Sequence, residues 1–140
     1  MAEHDPLNLT QLLDLLKEML PNPVKEEKLP QNTTRLIGGN PGEVVVDIDP
    51  QNVIVSEYAE TQESDTASVL LPLHLGTLNW NELPAWTARR ILEELTASAA
   101  TGRREKFREC IRCKKEFPPE LMANDNTCKS CEAQEEGVVY

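Results

Sequence analysis

The sequence predicts an α+β fold, a small antiparallel sheet with flanking helices and a cysteine-bearing ribbon at the C-terminal end. Three observations predict it: two stretches repeat apolar residues at helical spacing, short β-branched runs lie between them, and four cysteines stand as two C-x-x-C pairs near the end. Apolar residues make up 39% of the 140 but aromatics only 4%, so the core is small and a staple is expected.

Residues 1–20 are expected to form an amphipathic helix. Leu9, Leu12, Leu13, Leu16, Met19 and Leu20 fall on one stripe, and Asp5 with Pro6 supplies a cap and a first-turn proline. Such a stripe either packs on its own domain or docks in a partner's groove, and Leu9, Leu12, Leu13 and Leu16 are the contacts in the second case. Residues 21–32, with three prolines and the run Lys25-Glu26-Glu27-Lys28, read as a linker.

Residues 33–101 read as a small α+β domain. Strands are expected over 33–37, 43–48, 53–57 and 69–73, with turns at Gly38-Gly39-Asn40-Pro41-Gly42 and at residues 47–52, and an exposed loop over 57–68. No Gly-Lys-Ser or Gly-Lys-Thr follows Gly39, so the glycines mark a turn and not a phosphate loop. A second helix is expected from Asn81 to Ala100, capped near Asn81, with Pro84 in its first turn, Trp80 and Trp86 binding it to the sheet, and Gly102 as its stop.

Residues 102–132 carry the strongest chemical signal. Cys110-Ile-Arg-Cys113 and Cys128-Lys-Ser-Cys131 stand fourteen residues apart, a C-x2-C-x14-C-x2-C pattern in which each short loop turns two thiolates to one metal. One structural Zn2+ held by Cys110, Cys113, Cys128 and Cys131 is the expectation, with Phe117, Leu121 and Met122 covering it. Four thiolates leave no position for water, so the site is expected to stabilise structure, not catalyse hydrolysis. Residues 133–140 read as an acidic tail.

The zinc motif of residues 110–132, C-I-R-C-K-K-E-F-P-P with C-K-S-C-E, resembles the zinc ribbons common in phage and bacterial proteins. Among these are the ribbons preceding the catalytic part of recombination-endonuclease-VII-like nucleases. A four-cysteine finger preceded by a helix is also similar to the DksA/TraR-type regulators that act on RNA polymerase. The nuclease resemblance implies catalytic histidines after the second pair; none follows Cys131 here, so it does not imply nuclease activity.

Charge narrows the function. The net charge is -10, which opposes general nucleic-acid binding, yet residues 1–83 hold 14 acids and 4 bases while residues 84–131 hold 7 acids and 10 bases. The bases cluster at Arg103, Arg104, Lys106, Arg108, Arg112, Lys114 and Lys115, around the first cysteine pair. Three roles are open for them: docking on an acidic protein surface or a second copy, contacting phosphates with Phe117 as a stacking group, or offsetting the thiolate charge. The histidines, His4 and His74, form no catalytic set with a serine or cysteine, and Asp47 and Asp49 read as turn acids. The expectation is therefore a non-enzymatic adaptor or regulator that binds another protein, alternatively nucleic acid, with no membrane and no small-molecule substrate. No signal-like start is seen in the opening residues, and paired C-x-x-C motifs suit a reducing, cytoplasmic setting.

Overall fold

The computed structural model describes residues 5–62 and 68–137. Helix α1 (Leu9–Met19) is followed by strands β1 (Val24–Leu29), β2 (Thr33–Gly38), β3 (Val44–Ile48) and β4 (Val53–Glu57). A small hairpin of β5 (Glu60–Gln62) and β6 (Ser68–Leu70) intervenes before β7 (Leu73–Leu78) returns to pair with β4. The result is one five-stranded antiparallel sheet in the order β1-β2-β3-β4-β7. Helix α2 (Ala85–Glu105) crosses it, and a terminal unit of β8 (Arg108–Glu109), β9 (Glu116–Phe117) and α3 (Lys129–Gly137) completes the α+β fold.

Alternation along the strands sets the layers. Leu36, Val46 and Val55 are register partners across β2, β3 and β4, and all three are fully buried. On the same face Gly76 of β7 lies so close to α2 that a Cβ there would stand 2.9 Å from a Leu95 methyl, which would have to shift to admit it. Leu12 and Leu16 of α1 and Ala88, Leu92 and Ala99 of α2 complete this single core. α1 therefore packs on its own domain: Leu12 and Leu16 are fully buried and Leu13 packs against them, leaving Leu9, 48% exposed, as the only one of the four expected docking leucines on the surface.

Several expectations need correction. Residues 21–32 are not a linker, because they hold β1, which pairs with β2 along its full length. Its charged composition is what an edge strand needs: the backbone pairs on one side, and Lys25, Glu26, Glu27 and Lys28 discourage pairing on the other. α1 is capped by Asn8, not Asp5; its side chain accepts from the Gln11 N–H at 2.8 Å while the Gln11 side chain accepts from the Asn8 N–H at 3.0 Å. The expected loop over 57–68 holds part of the β5–β6 hairpin, and its residues 63–67 lie outside the described ones. Residues 133–137 of the expected tail continue α3. Trp80 is buried, with its indole N–H donated to the Asp49 carbonyl at 3.1 Å, but Trp86 is 56% exposed and does not bind the helix to the sheet.

α2 starts at Ala85 rather than Asn81 and runs through Gly102. Gly102 is no stop: a Cβ there would collide with the Glu57 carboxylate of β4, so the glycine admits a buried acid against the helix. Gly102→Ala would gain about 1 kcal/mol of helix propensity but overpack this contact by about 1–3 kcal/mol. Net destabilisation in urea unfolding is expected; an alanine variant more stable than the parent would refute the packing role.

Candidate metal centre and its anchor on the sheet

The four cysteines come together from two local devices. The first pair sits on the tight turn between β8 and β9, where Cys110 N–H donates to the Lys115 carbonyl and Lys114 N–H to the Cys110 carbonyl, both at 2.9 Å. Closing that turn puts Lys114 in the left-handed region at φ 64°. The second pair opens a helix: Cys128 immediately precedes α3, and its sulfur accepts the Cys131 N–H at 3.4 Å. Between the pairs, the Asn124 side chain accepts from the N–H groups of Asn126 and Thr127 at 2.8 and 2.9 Å, and Ile111 N–H donates to the Asn126 carbonyl at 2.8 Å. These bonds fold the loop back so that the second pair faces the first.

All four cysteines are free thiols, and their sulfurs lie within 4.8 Å of one another. A tetrahedral Zn2+ with bonds of about 2.3 Å needs sulfurs about 3.8 Å apart, so the cluster is able to hold one metal ion with small adjustments. Cys110, Cys128 and Cys131 are buried, Cys113 is partly exposed, and Phe117 and Met122 pack against them. Leu121, by contrast, is 43% exposed and does not cover the site. Partly buried Phe117 thus covers the cluster, as expected from the sequence.

The thiols have unequal proton affinity. Cys110 is lowered to about 6, first by the backbone N–H of Cys113, then by that of Cys128. Cys131 is pushed up to about 12, first by hydrogen bonding with Cys128 and then by burial. Backbone donors aimed at sulfur suit a thiolate, and a dication offers the positive charge that lets the remaining thiols ionise as well. Among the described residues this is the one such group of potential metal ligands. Asp47 is instead gripped by Arg35, at 2.7 and 3.0 Å, and Asp49 accepts the N–H groups of Gln51 and Asn52. His74 is exposed and bonded to Thr77 at 2.8 Å.

The basic cluster divides in two. Arg103 is not on the surface: its side chain is 2% exposed and forks onto the Glu120 carboxylate, one nitrogen standing 2.9 Å from it, while Nε donates to the Gly42 carbonyl at 2.9 Å. Its guanidinium also lies 4.9 Å from the Tyr58 ring centre and 5.5 Å from that of Phe107. Burial, followed by the hydrogen bond to Glu60, raises the Tyr58 phenol well above its ordinary value and keeps it a donor to that acid. Arg104 forks onto buried Glu43 at 2.6 and 3.2 Å, and Lys106 pairs with buried Glu57. Arg103 ties the cysteine unit, through Glu120, to α2 and Gly42, while Arg104 and Lys106 hold the end of α2 on the sheet, so Arg103 is unavailable to any ligand and the other two are already matched to buried acids. Arg108, whose guanidinium donates to the Glu105 and Phe107 carbonyls, is exposed, as are Arg112, Lys114 and Lys115 and, at 57%, Ile111 between the first two cysteines.

Sequence reasoning missed the acidic side of this junction. Glu43 and Glu57 each adjoin an apolar strand run, where a lone acid is costly without a cation, and that was the available signal. Glu120 gave none, because its role depends on the 3₁₀ turn over Pro119–Leu121 that the cysteine fold presents to Arg103. Comparison with protein-family models, curated proteins and solved structures found no match for this chain.

Proposed function

We propose that this is a non-enzymatic zinc-dependent adaptor, whose four-cysteine site holds a knuckle in shape so that its outer face docks on an acidic surface of another protein. The observation that carries this reading is the composition of that face: Ile111, an apolar side chain 57% exposed, flanked by exposed Arg112, Lys114 and Lys115. An apolar tip ringed by cations suits a protein patch with an apolar dent and an acidic rim. Zinc is favoured because four thiolates give a closed tetrahedral set that leaves no coordination position for substrate or water. Reduced cysteines are needed for it, which assigns the protein to a reducing, intracellular compartment. No helix among the described residues is long and apolar enough to cross a membrane.

The N-terminal helix drops out of the binding surface, since Leu12 and Leu16 serve the core. Nucleic-acid binding is the weaker reading because Arg103, Arg104 and Lys106 are matched to Glu120, Glu43 and Glu57, leaving fewer cations for phosphate on a chain of net charge -10.

Fluorescence anisotropy of the zinc-loaded protein against labelled acidic peptides containing leucine, and against DNA and RNA strands, across a salt series, tests the reading. Peptide binding that Ile111→Ser weakens by about tenfold or more is expected, since an apolar anchor is worth about that much. Binding of DNA or RNA with a steep salt slope, unchanged by Ile111→Ser and lost in Lys114→Glu with Lys115→Glu, would replace it with the nucleic-acid reading.

A further inference from the structure

The two edges of the main sheet are treated in opposite ways by the sequence. β1 at one edge carries four charges in six residues, the usual protection against unwanted pairing. β7 at the other edge carries none, and the whole stretch 69–81 lacks Asp, Glu, Lys and Arg in a chain that is 27% charged. Leu71, Leu73 and Leu75 on and beside β7 are 49%, 45% and 41% exposed. Among the described residues β7 pairs only with β4. The register shift opposite Val55 and Ser56 skips Leu75 and leaves it exposed beside Leu73. An uncharged, leucine-bearing edge is a template for a further strand.

We infer that β7 is a self-association edge, on which the β7 strand of a second copy pairs antiparallel about a two-fold axis to join two five-stranded sheets into one. Charge selects this occupant. Two chains of net charge -10 repel over most of their surfaces, and the neutral stretch 69–81 is where two copies meet with no acid facing acid. The edge is also self-complementary, since leucines from one copy meet leucines from the other, and an isologous contact closes as a dimer without growing into a filament. A short strand with three half-exposed leucines makes a small interface, so the dimer belongs to the weak class, with dissociation on the order of 10 μM.

Sedimentation equilibrium of the zinc-loaded full chain, from about 1 to about 500 μM, tests it over the range where such a dimer forms and dissociates. The expected result is a monomer–dimer equilibrium that Leu73→Lys with Leu75→Lys weakens at least tenfold while zinc content and circular dichroism stay as in the parent. Trp86→Lys, which alters a large exposed apolar side chain on α2 instead of β7, is expected to leave the equilibrium unchanged. A monomer at every concentration would overturn the inference, and so would a dimer that survives the double lysine variant or is lost in Trp86→Lys. Ile111→Ser is expected to leave the dimer intact, so a failure of this edge and a failure of the knuckle as a docking face are read separately.

Discussion

Replacing Arg103 with alanine is expected to destabilise the protein by about 3–5 kcal/mol, the range for removing one partner of a buried ion pair. The reason is what remains behind. Glu120, with its side chain 14% exposed, would be left without its cation, the Gly42 carbonyl would lose its side-chain donor, and the space against the Tyr58 and Phe107 rings would empty. Arg103→Lys is expected to recover only part of the loss, because an ammonium cannot fork onto both carboxylate oxygens while also reaching Gly42 along a third direction. In a chain of this length the alanine variant should lower the midpoint of thermal unfolding by about 10 °C or more. A shift smaller than about 1 kcal/mol in chemical unfolding would show that the junction does not hold the two parts together. Glu120→Ala, which strands the arginine instead, should behave similarly, and combining the two should cost much less than their sum because both remove the same pair.

That junction also shows where the sequence was informative. Periodicity located β2, β3 and β4 within a residue or so and found both long helices, because each buries one face and its apolar residues repeat at the period of the element. The cysteine spacing predicted the four-cysteine cluster that the fold brings together, since the chemistry of the pattern is local. β1 was hidden because its charges follow from its place at the edge, which is a property of the sheet and not of residues 24–29. The basic cluster was legible only in part for a related reason. Opposite charge in the two parts of the chain is compatible with a surface offered to a partner and with internal matching, and Glu43 with Arg104 and Glu57 with Lys106 show that part of it is matched internally. A carboxylate at a strand end and a cation in the last turn of a helix do not reveal their pairing until the helix is laid across the sheet. The cations at the C-terminal turn of α2 also face its negative dipole end, a second internal use for positive charge.

Removing the metal is expected to melt the terminal unit while leaving the sheet and both long helices folded. Among the described residues the unit has a cysteine cluster with Phe117 and Met122 packed on it, far too little apolar burial to offset the entropy of ordering residues 108–132. Its hydrogen bonds, from Lys114 to Cys110 and from Ile111 to Asn126, hold loops that are closed only while the two cysteine pairs face each other. A metal held by the four cysteines would make binding and folding of this segment one equilibrium, and Cys110→Ser or Cys128→Ser should reproduce the effect of a strong chelator. The main core shares none of these side chains, since Leu36, Val46, Val55 and Leu92 pack among themselves and with α1. Yet the core should not be indifferent. Glu120 lies within the segment that melts, so metal loss takes from buried Arg103 its carboxylate and lowers the stability of what remains, while the Glu43–Arg104 and Glu57–Lys106 pairs persist because both partners belong to the sheet and α2 with its C-terminal cap. Hydrogen exchange with and without chelator separates these effects: amides of residues 110–131 should lose protection entirely, and those of β2 to β4 should keep most of theirs but exchange faster. If the amides of 110–131 stayed protected without metal, the site would not be structural. If the sheet amides exchanged at the same rate with and without metal, Glu120 would not couple the two parts, and the effect of Arg103→Ala would have to come from its contacts with Gly42, Tyr58 and Phe107 alone.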